Sequence, residues 1–421
     1  MTDLAETMRS EMTTRKIRKV GIVGGGIGGA ALALALHRRG IAAHVFERAP
    51  AFGEIGAGVQ MTPNAVKVLV ALGLRDELDR AGFLPDAMVG FNWQSGRQTF
   101  RTPLKEVCPR LFGAEFFHVH RADLHAMLVR DLPPSTVTFN AACVGVEQGG
   151  DTAVAVFADG SRFEADLIVG ADGIHSVVRG ELWGQAPAQF TGHMCWRAMV
   201  PVAEFPLPFV GPYAAFWMGP NAHIVTYYVK GGAAVNIVAV NESETWVTES
   251  WIEPSTKQEL LDAYQGWHAD IIELLARTDP STTFKWGLFD RDPMAQWSRG
   301  NVTLLGDAAH PMLPFLSQGA AMALEDAYVL AAAIDALDDC DTALSAYEAE
   351  RRARTARVQL EARERGRTYH LPTAEEQERR DRELERQQAE NPNAVGIKAE
   401  WVYEYDATRC ADRFASQAAA V

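Results

Sequence analysis

Six glycines within seventeen consecutive uncharged residues, Val20 to Leu36, constrain this 421-residue chain more than any other feature. The surrounding stretch, RKIRKVGIVGGGIGGAALALALHRRG, sets basic clusters on both sides of an apolar run, the outline of an export signal or a membrane span. A signal core tolerates few helix breakers, and Asp3, Glu6 and Glu11 precede the first basic cluster, so export is disfavoured. A spanning helix needs about 20 strongly apolar residues, and glycines at 21, 24, 25, 26, 28 and 29 make this a poor one. The glycines suit a strand, Lys19 to Val23, a turn, Gly24-x-Gly26-x-x-Gly29, and an Ala/Leu-rich helix, Gly29 to Arg39. Gly24 then makes the tight turn, Gly26 admits a pyrophosphate to the backbone, and Gly29 lets helix and strand pack closely. The helix N-terminus faces the phosphates.

A second apolar strand, Ala42 to Phe46, ends at Glu47, 18 residues beyond Gly29, where a ribose-binding acid stands in this kind of unit. Glu47 could instead pair with a neighbouring arginine on the surface; strand, turn, helix, strand and acid in that order favour the ribose. The motif alone does not separate NAD from FAD. Local groups must hold the anionic ligand, because 40 basic and 54 acidic residues leave a net charge of −14. That charge argues against nucleic-acid or anionic-membrane partners. The five cysteines, Cys108, Cys143, Cys195, Cys340 and Cys410, are scattered without a C-x-x-C pair. Neither a disulfide framework nor a zinc site is supported, and a reducing cytoplasm is expected. His118 and His120 alternate before Arg121 without an H-x-x-x-H or carboxylate cluster, so no metal is expected.

Two later stretches decide the nucleotide. In ADLIVGADGIHSVVR, a strand Leu167 to Val169 runs into Gly170-Ala171-Asp172-Gly173 and a basic turn ending at Arg179. In NVTLLGDAAHPMLPFLSQGAAMALEDA, a strand Val302 to Leu305 runs into Gly306-Asp307, and after two prolines a helix opens near Gly319. With the glycine turn, these stand in the order of the three fingerprints of the FAD-dependent single-component aromatic hydroxylases. The chain resembles that family from about Lys19 to the EWVYEYDA stretch, most nearly the branch of 6-hydroxynicotinate 3-monooxygenase, 3-hydroxybenzoate 6-hydroxylase and salicylate hydroxylase.

The resemblance implies an α/β fold: a Rossmann-like FAD-binding domain in two parts (18–184 and 286–340), an inserted antiparallel-sheet substrate domain (185–285) and a C-terminal helical region (341–421). It implies that Glu47, Arg48 and Arg121 hold the adenosine and pyrophosphate side, that Asp172 lies by the dinucleotide, and that Asp307 binds the ribityl chain. The helix at Gly319 would turn its N–H groups toward the negative charge of reduced flavin, with Gly319 and Ala320 leaving room for the ring. No second glycine motif joins a strand to a helix, so NADH or NADPH is expected as a transient co-substrate. The implied reaction is oxygen transfer through a C4a-hydroperoxyflavin to a single-ring phenolic or amino/N-heteroaromatic acid, with or without loss of a carboxylate. Flavin disulfide reductases need a C-x-x-x-x-C pair that is absent, and CWRAMVP has Ala198 where a tryptophan halogenase carries its second tryptophan. Another halogenase or reductase of this fold, or a non-catalytic nucleotide-binding protein, is the alternative.

From about Gln185 to Lys285 the pattern changes to short alternating strands. In AHIVTYYVKGGAAVNIVAV, a Lys230-Gly231-Gly232 turn joins two of them, and period two puts His223, Val225 and Tyr227 on one face. Four residues span about 13 Å, and the family carries a His and a Tyr at this spacing over the substrate ring. His223 would take the proton of a ring hydroxyl; Tyr227 suits either substrate contact or sheet packing. Pro314 lies beside the expected pocket, and Trp217, Met218, Phe315 and Leu316 could shield it from water. Where the 6-hydroxynicotinate branch carries histidines after GAG and after the second proline, this chain has Gln60 and Phe315, so the ring identity stays open. Arg197 could neutralise a carboxylate or the flavin, or form a structural ion pair. The polar run Ala374 to Glu390 reads as a solvated helix or linker that could support a homodimer, and Met1 to Arg15 are expected to lack fixed structure.

Overall fold

In a computed structural model, the described residues are 16–53, 57–203, 209–244, 253–395 and 398–418. The expectation for Met1 to Arg15 lies outside them. The opening unit forms as the glycines dictate: strand Lys19–Val23, helix Ile27–His37 and strand Ala42–Phe46. Gly24 has φ +106°, and a Cβ there would sit 2.4 Å from the carbonyl oxygen of Ala171. At Gly29 a Cβ would sit 2.0 Å from the Gly24 carbonyl oxygen, so only glycine lets the helix lie this close to the turn.

These strands belong to a six-stranded sheet whose order is Ser298–Arg299, Val302–Leu304, Leu167–Gly170, Lys19–Val23, Ala42–Phe46 and Val137–Thr138. All neighbours run parallel except the Ser298–Arg299 edge. The three fingerprint stretches thereby meet at one end of adjacent strands, the C-terminal end where such sheets bind ligands. Helix Gly319–Ala336, largely buried, packs against Ile27–His37 on this sheet.

An eight-stranded sheet lies beside it, in the order Glu253–Pro254, Phe284–Asp290, Gln189–Pro201, Ala234–Glu242, Ala222–Val229, Tyr213–Gly219, Ala87–Asn92 and Gln98–Thr102. It is antiparallel except where Tyr213–Gly219 pairs parallel with Ala87–Asn92. Two of its strands thus come from within 18–184, because that hydrogen-bonded edge is extended by chain made long before the inserted segment. One face carries Val225, Tyr227, Val238 and Val240 toward the nucleotide-binding half. The other carries Trp196, Ala215, Ile224, Ile237 and Ala239 against Leu260, Tyr264, Trp267 and Ile271 of two short helices.

Helix Cys340–Tyr369 runs back along the molecule, and the polar helix Ala374–Glu390 follows. That second helix is more than a solvated rod. Its Gln377, Arg380 and Asp381 are buried, Trp93 Nε1 donates to Gln377 Oε1 (2.9 Å), Asn92 Nδ2 to Asp381 Oδ2 (2.8 Å), and Arg380 Nη2 to the Met218 carbonyl (3.1 Å). Polar side chains become interior when each finds a partner, which an apolar periodicity cannot reveal. No helix among the described residues is long and apolar enough to cross a membrane.

Candidate active site

At the glycine turn, Glu47 accepts from the Gly25 N–H (2.9 Å) with one oxygen and from the Ala49 N–H (2.8 Å) with the other. Each oxygen keeps a lone pair for a further donor. A Cβ on Gly26 would meet nothing within 4 Å, so the backbone there borders open space at the helix N-terminus. Arg48 is exposed. Arg121 opens the helix Arg121–Val129, and burial, then the like charge of Arg197, lowers its pKa against the opposing pull of Asp307. Arg121, Arg197 and Asp307 thus lie within electrostatic reach of one another.

Asp307 is enclosed by protein strongly enough for burial to raise its pKa, yet solvent reaches its side chain. Both hold for a carboxylate at the bottom of a cleft. A Cβ on Gly319 would likewise meet nothing within 4 Å, and Ala320 beside it is only half-buried. The protein therefore leaves open space both at the Gly26 backbone and at the helix N-terminus at Gly319. A dinucleotide carrying a flat ring fits such a donor and acceptor set. Asp172 accepts from Ser176 Oγ (2.6 Å), Val177 N (2.7 Å) and Val178 N (3.3 Å) and so holds the turn that opens the next helix.

Two bracing groups were not legible as site residues. Arg179 is buried and donates to the Ala308 carbonyl (3.1 Å) and the Ile174 carbonyl (2.8 Å), tying the second fingerprint to the third. Behind Gly319, Asp326 accepts from the Gly306 N–H (3.1 Å), pairs with His310 Nε2 (2.5 Å) and accepts from Arg351 Nε (2.7 Å). Its neighbour Glu325 accepts from Asn64, Arg351 and Arg354, and Asn64 also donates to Gln318 just before Gly319. Burial alone would raise both carboxyls; His310 and Arg351 hold Asp326 below its usual range, and Arg354 and Arg351 do so for Glu325. The visible trace was the acidic pair interrupting the apolar run GAAMALEDA.

On the eight-stranded sheet, register partners share a face. His193 pairs with Glu242, Arg197 and Val225 both pair with Val238, His223 pairs with Met218 and Val240, and Tyr227 pairs with Asn236. Arg197 therefore stands about 10 Å across the sheet from Val225, midway along the line from His223 to Tyr227. Strand Gly58–Met61 crosses this face: a Cβ on Gly58 would meet Tyr227 at 2.6 Å and Asn236 at 2.7 Å, and Gln60 points the same way by alternation. The buried donors Gln60 Nε2, Arg197 Nε and Asn236 Nδ2 have no hydrogen-bond partner within the protein, so this face offers donors to water or a polar ligand.

His223 is buried, and its Nδ1 lies 2.6 Å from His370 Nε2, leaving Nε2 for a ligand. Burial, helped by His193, lowers its pKa to about 3, so the ring is neutral at neutral pH. Burial raises the pKa of Tyr227, which keeps its proton. Phe315 sets its ring 5.3 Å from both His193 and His223 and 5.8 Å from His370, closing that end, with half-buried Pro314 before it. Trp217 does not join them. Neighbours in a strand point to opposite sides, so it lies in the far core, stacked on Phe91 (4.6 Å) and His268 (5.4 Å), while Met218 keeps the face of His223. His370, at the end of a long polar helix, had no sequence signal.

Residues 18–362 match the family model described as FAD binding domain. The chain is 42% identical over 320 residues to a 3-amino-4-hydroxybenzoate 2-monooxygenase of Streptomyces platensis, covering 76% of this chain and 80% of that one. It is 39% identical over 321 residues to a 6-hydroxynicotinate 3-monooxygenase of Pseudomonas fluorescens, covering 75% and 82%. In shape it is similar to Klebsiella pneumoniae HpxO solved with FAD and uric acid, at TM-score 0.82 and 27% identity over 90% of this chain and 96% of that one. The chain belongs to the FAD-binding-domain family of flavoprotein hydroxylases and is an FAD-dependent aromatic monooxygenase.

Proposed function

We propose that the chain hydroxylates a single-ring aromatic acid bearing a hydroxyl or amino group, such as an aminohydroxybenzoate or a hydroxylated N-heteroaromatic acid, with NADH or NADPH and O2 as co-substrates. The observation that carries this reading is the shared sheet face: a neutral His223 with Nε2 free, and the unpartnered Arg197 Nε on the strand two away. A base for a ring hydroxyl and a cation for a carboxylate then stand on one side of the substrate. The two relatives named above act, by name, on rings that carry both groups.

Glu47, Arg121, Asp307 and the backbone at Gly26 and Gly319 would hold FAD. When bound, FAD takes electrons from the nicotinamide and activates O2 for transfer of one oxygen atom to the ring. The protein's part is to orient the ring, exclude water and prepare the ring electronically. Arg197 fixes the carboxylate, Phe315 and Met218 exclude water, and His223 Nε2 takes the hydroxyl proton so that the oxygen pushes electrons into the ring. Tyr227 and Gln60 border the same volume.

The test is a screen of single-ring hydroxy and amino acids for compounds that accelerate NAD(P)H oxidation, with products identified by mass. A product one oxygen heavier supports the reading. One that has also lost CO2 assigns a decarboxylating hydroxylation, and no acceleration by any ring acid would overturn the substrate class. His223→Ala should retain FAD yet divert NAD(P)H consumption to H2O2, with general-base loss costing about 10²–10⁴ in hydroxylation rate.

A further inference from the structure

His223 has a difficulty as a base. In a buried setting that disfavours its charged form, it can hold an abstracted proton only briefly, and the proton must be handed on. The surroundings supply one route. His223 Nδ1 lies 2.6 Å from His370 Nε2. On the far side of that second ring, His370 Nδ1 lies 3.5 Å from Glu242 Oε1 and has no hydrogen-bond partner within ordinary range. His370 is fully buried, whereas the Glu242 side chain is 45% exposed. One carboxylate and two imidazoles thus form a line from solvent to the substrate face.

We propose that Glu242 and His370, with His223, form a relay that carries the substrate hydroxyl's proton from the buried sheet face to solvent. The proposal rests on the reading of His223 as the base.

The line also sets tautomers. A carboxylate at Glu242 accepts only from a protonated His370 Nδ1, which leaves His370 Nε2 as an acceptor. His223 must then donate from Nδ1 and present a lone pair at Nε2, the form a base requires. When Nε2 takes the substrate proton, the Nδ1 proton passes to His370 Nε2, the His370 Nδ1 proton passes to Glu242, and Glu242 releases it to water. No net charge stays on either ring. Burial raises the Glu242 carboxyl and lowers the His370 imidazole, so a proton shared by the pair rests on Glu242, the end that meets solvent. The other charged or titratable groups around the pair are His193, whose ring centroid is 5.2 Å from that of His370, and Arg380, both of which disfavour charge on His370. Phe315 and Tyr369 pack edge-on against the His223 ring.

Glu242 is the exposed last residue of its strand, so Glu242→Gln should fold, retain FAD and melt with the wild type. Its product formed per NAD(P)H should fall about tenfold, short of the loss of the base itself. The acid limb of the coupling profile against pH should disappear, and formate in solution should restore part of the yield, as should Glu242→Asp. His370→Ala should behave alike and respond to added imidazole. Wild-type coupling and an unaltered pH profile in Glu242→Gln, with His223→Ala uncoupled, would overturn the relay and spare the base. Wild-type coupling in His223→Ala would overturn both. Ligand atoms of His193, Glu242 and His370 lie within 4.8 Å of one another; coupling that a chelator abolishes and Zn²⁺ restores would also overturn the relay, in favour of a cation at this cluster.

Discussion

Arg351→Leu tests whether the buried ion cluster behind Gly319 holds the cleft in shape. Arg351 is wholly buried, 2.7 Å from Asp326 and 2.5 Å from Glu325. Removing it leaves Glu325 paired with Arg354, at 2.8 Å, while Asp326 keeps His310 and the Gly306 N–H but no guanidinium. One carboxylate is then undercompensated in the interior, a cost of about 3–5 kcal/mol. An unfolding entropy of about 2.1 cal/mol/K per residue over 421 residues gives about 0.9 kcal/mol per degree, so the melting temperature should fall by about 3–6 °C. The pH dependence has a definite sign. In the wild type both acids are held below their unfolded values, so their contribution is present above about pH 4 and lost as pH falls through the folded values. In the variant, burial raises Asp326 instead, and its penalty is relieved as pH falls through that raised value. The gap between variant and wild type should therefore narrow as pH falls. Differential scanning fluorimetry with saturating FAD measures it. An unchanged melting temperature, or a gap that widens on acidification, would refute the argument.

Gly29→Val should yield FAD-free protein, because its Cβ would press on the Gly24 carbonyl oxygen, and backbone cannot move aside as a side chain can; flavin absorbance of the purified variant checks this. Asp307→Ala should weaken FAD binding about 10–100-fold, the worth of a hydrogen bond to a charged acceptor, read by flavin fluorescence titration. Trp217→Ala should cost about 3–5 kcal/mol of stability and leave product yield per NAD(P)H as in the wild type, since the ring lies in the far core. Met218→Ala, on the opposite face, should alter that yield.

The nucleotide half is legible because its glycines answer to local sterics: Gly24 and Gly29 are required by contacts with backbone at the turn, and Lys19–Val23 and Ala42–Phe46 lie where the pattern puts them. Period two likewise puts His223 and Tyr227 on one face. The same period separates Trp217 from Met218, which bulk alone groups together as a shield. What stays hidden is long-range. His370 stands 147 residues from His223, Arg351 meets acids 25 and 26 residues earlier through a helix hairpin, and Arg380 is interior with partners that include a carbonyl on a strand 162 residues earlier. Such pairings follow from tertiary packing, and no window of sequence contains both partners.

The parallel seam between Ala87–Asn92 and Tyr213–Gly219 has a consequence for how the chain is made. Ala87–Asn92 and Gln98–Thr102 leave the ribosome about 110 residues before the strand that covers their open edge. At 5–20 residues per second they wait about 6–20 s as a two-stranded ribbon, with Val89 and Phe100, buried in the finished protein, still uncovered. Truncations ending between 102 and 213 should therefore be recovered as aggregates or bound to chaperones, whereas a chain released after Asp290 carries every strand the sheet needs.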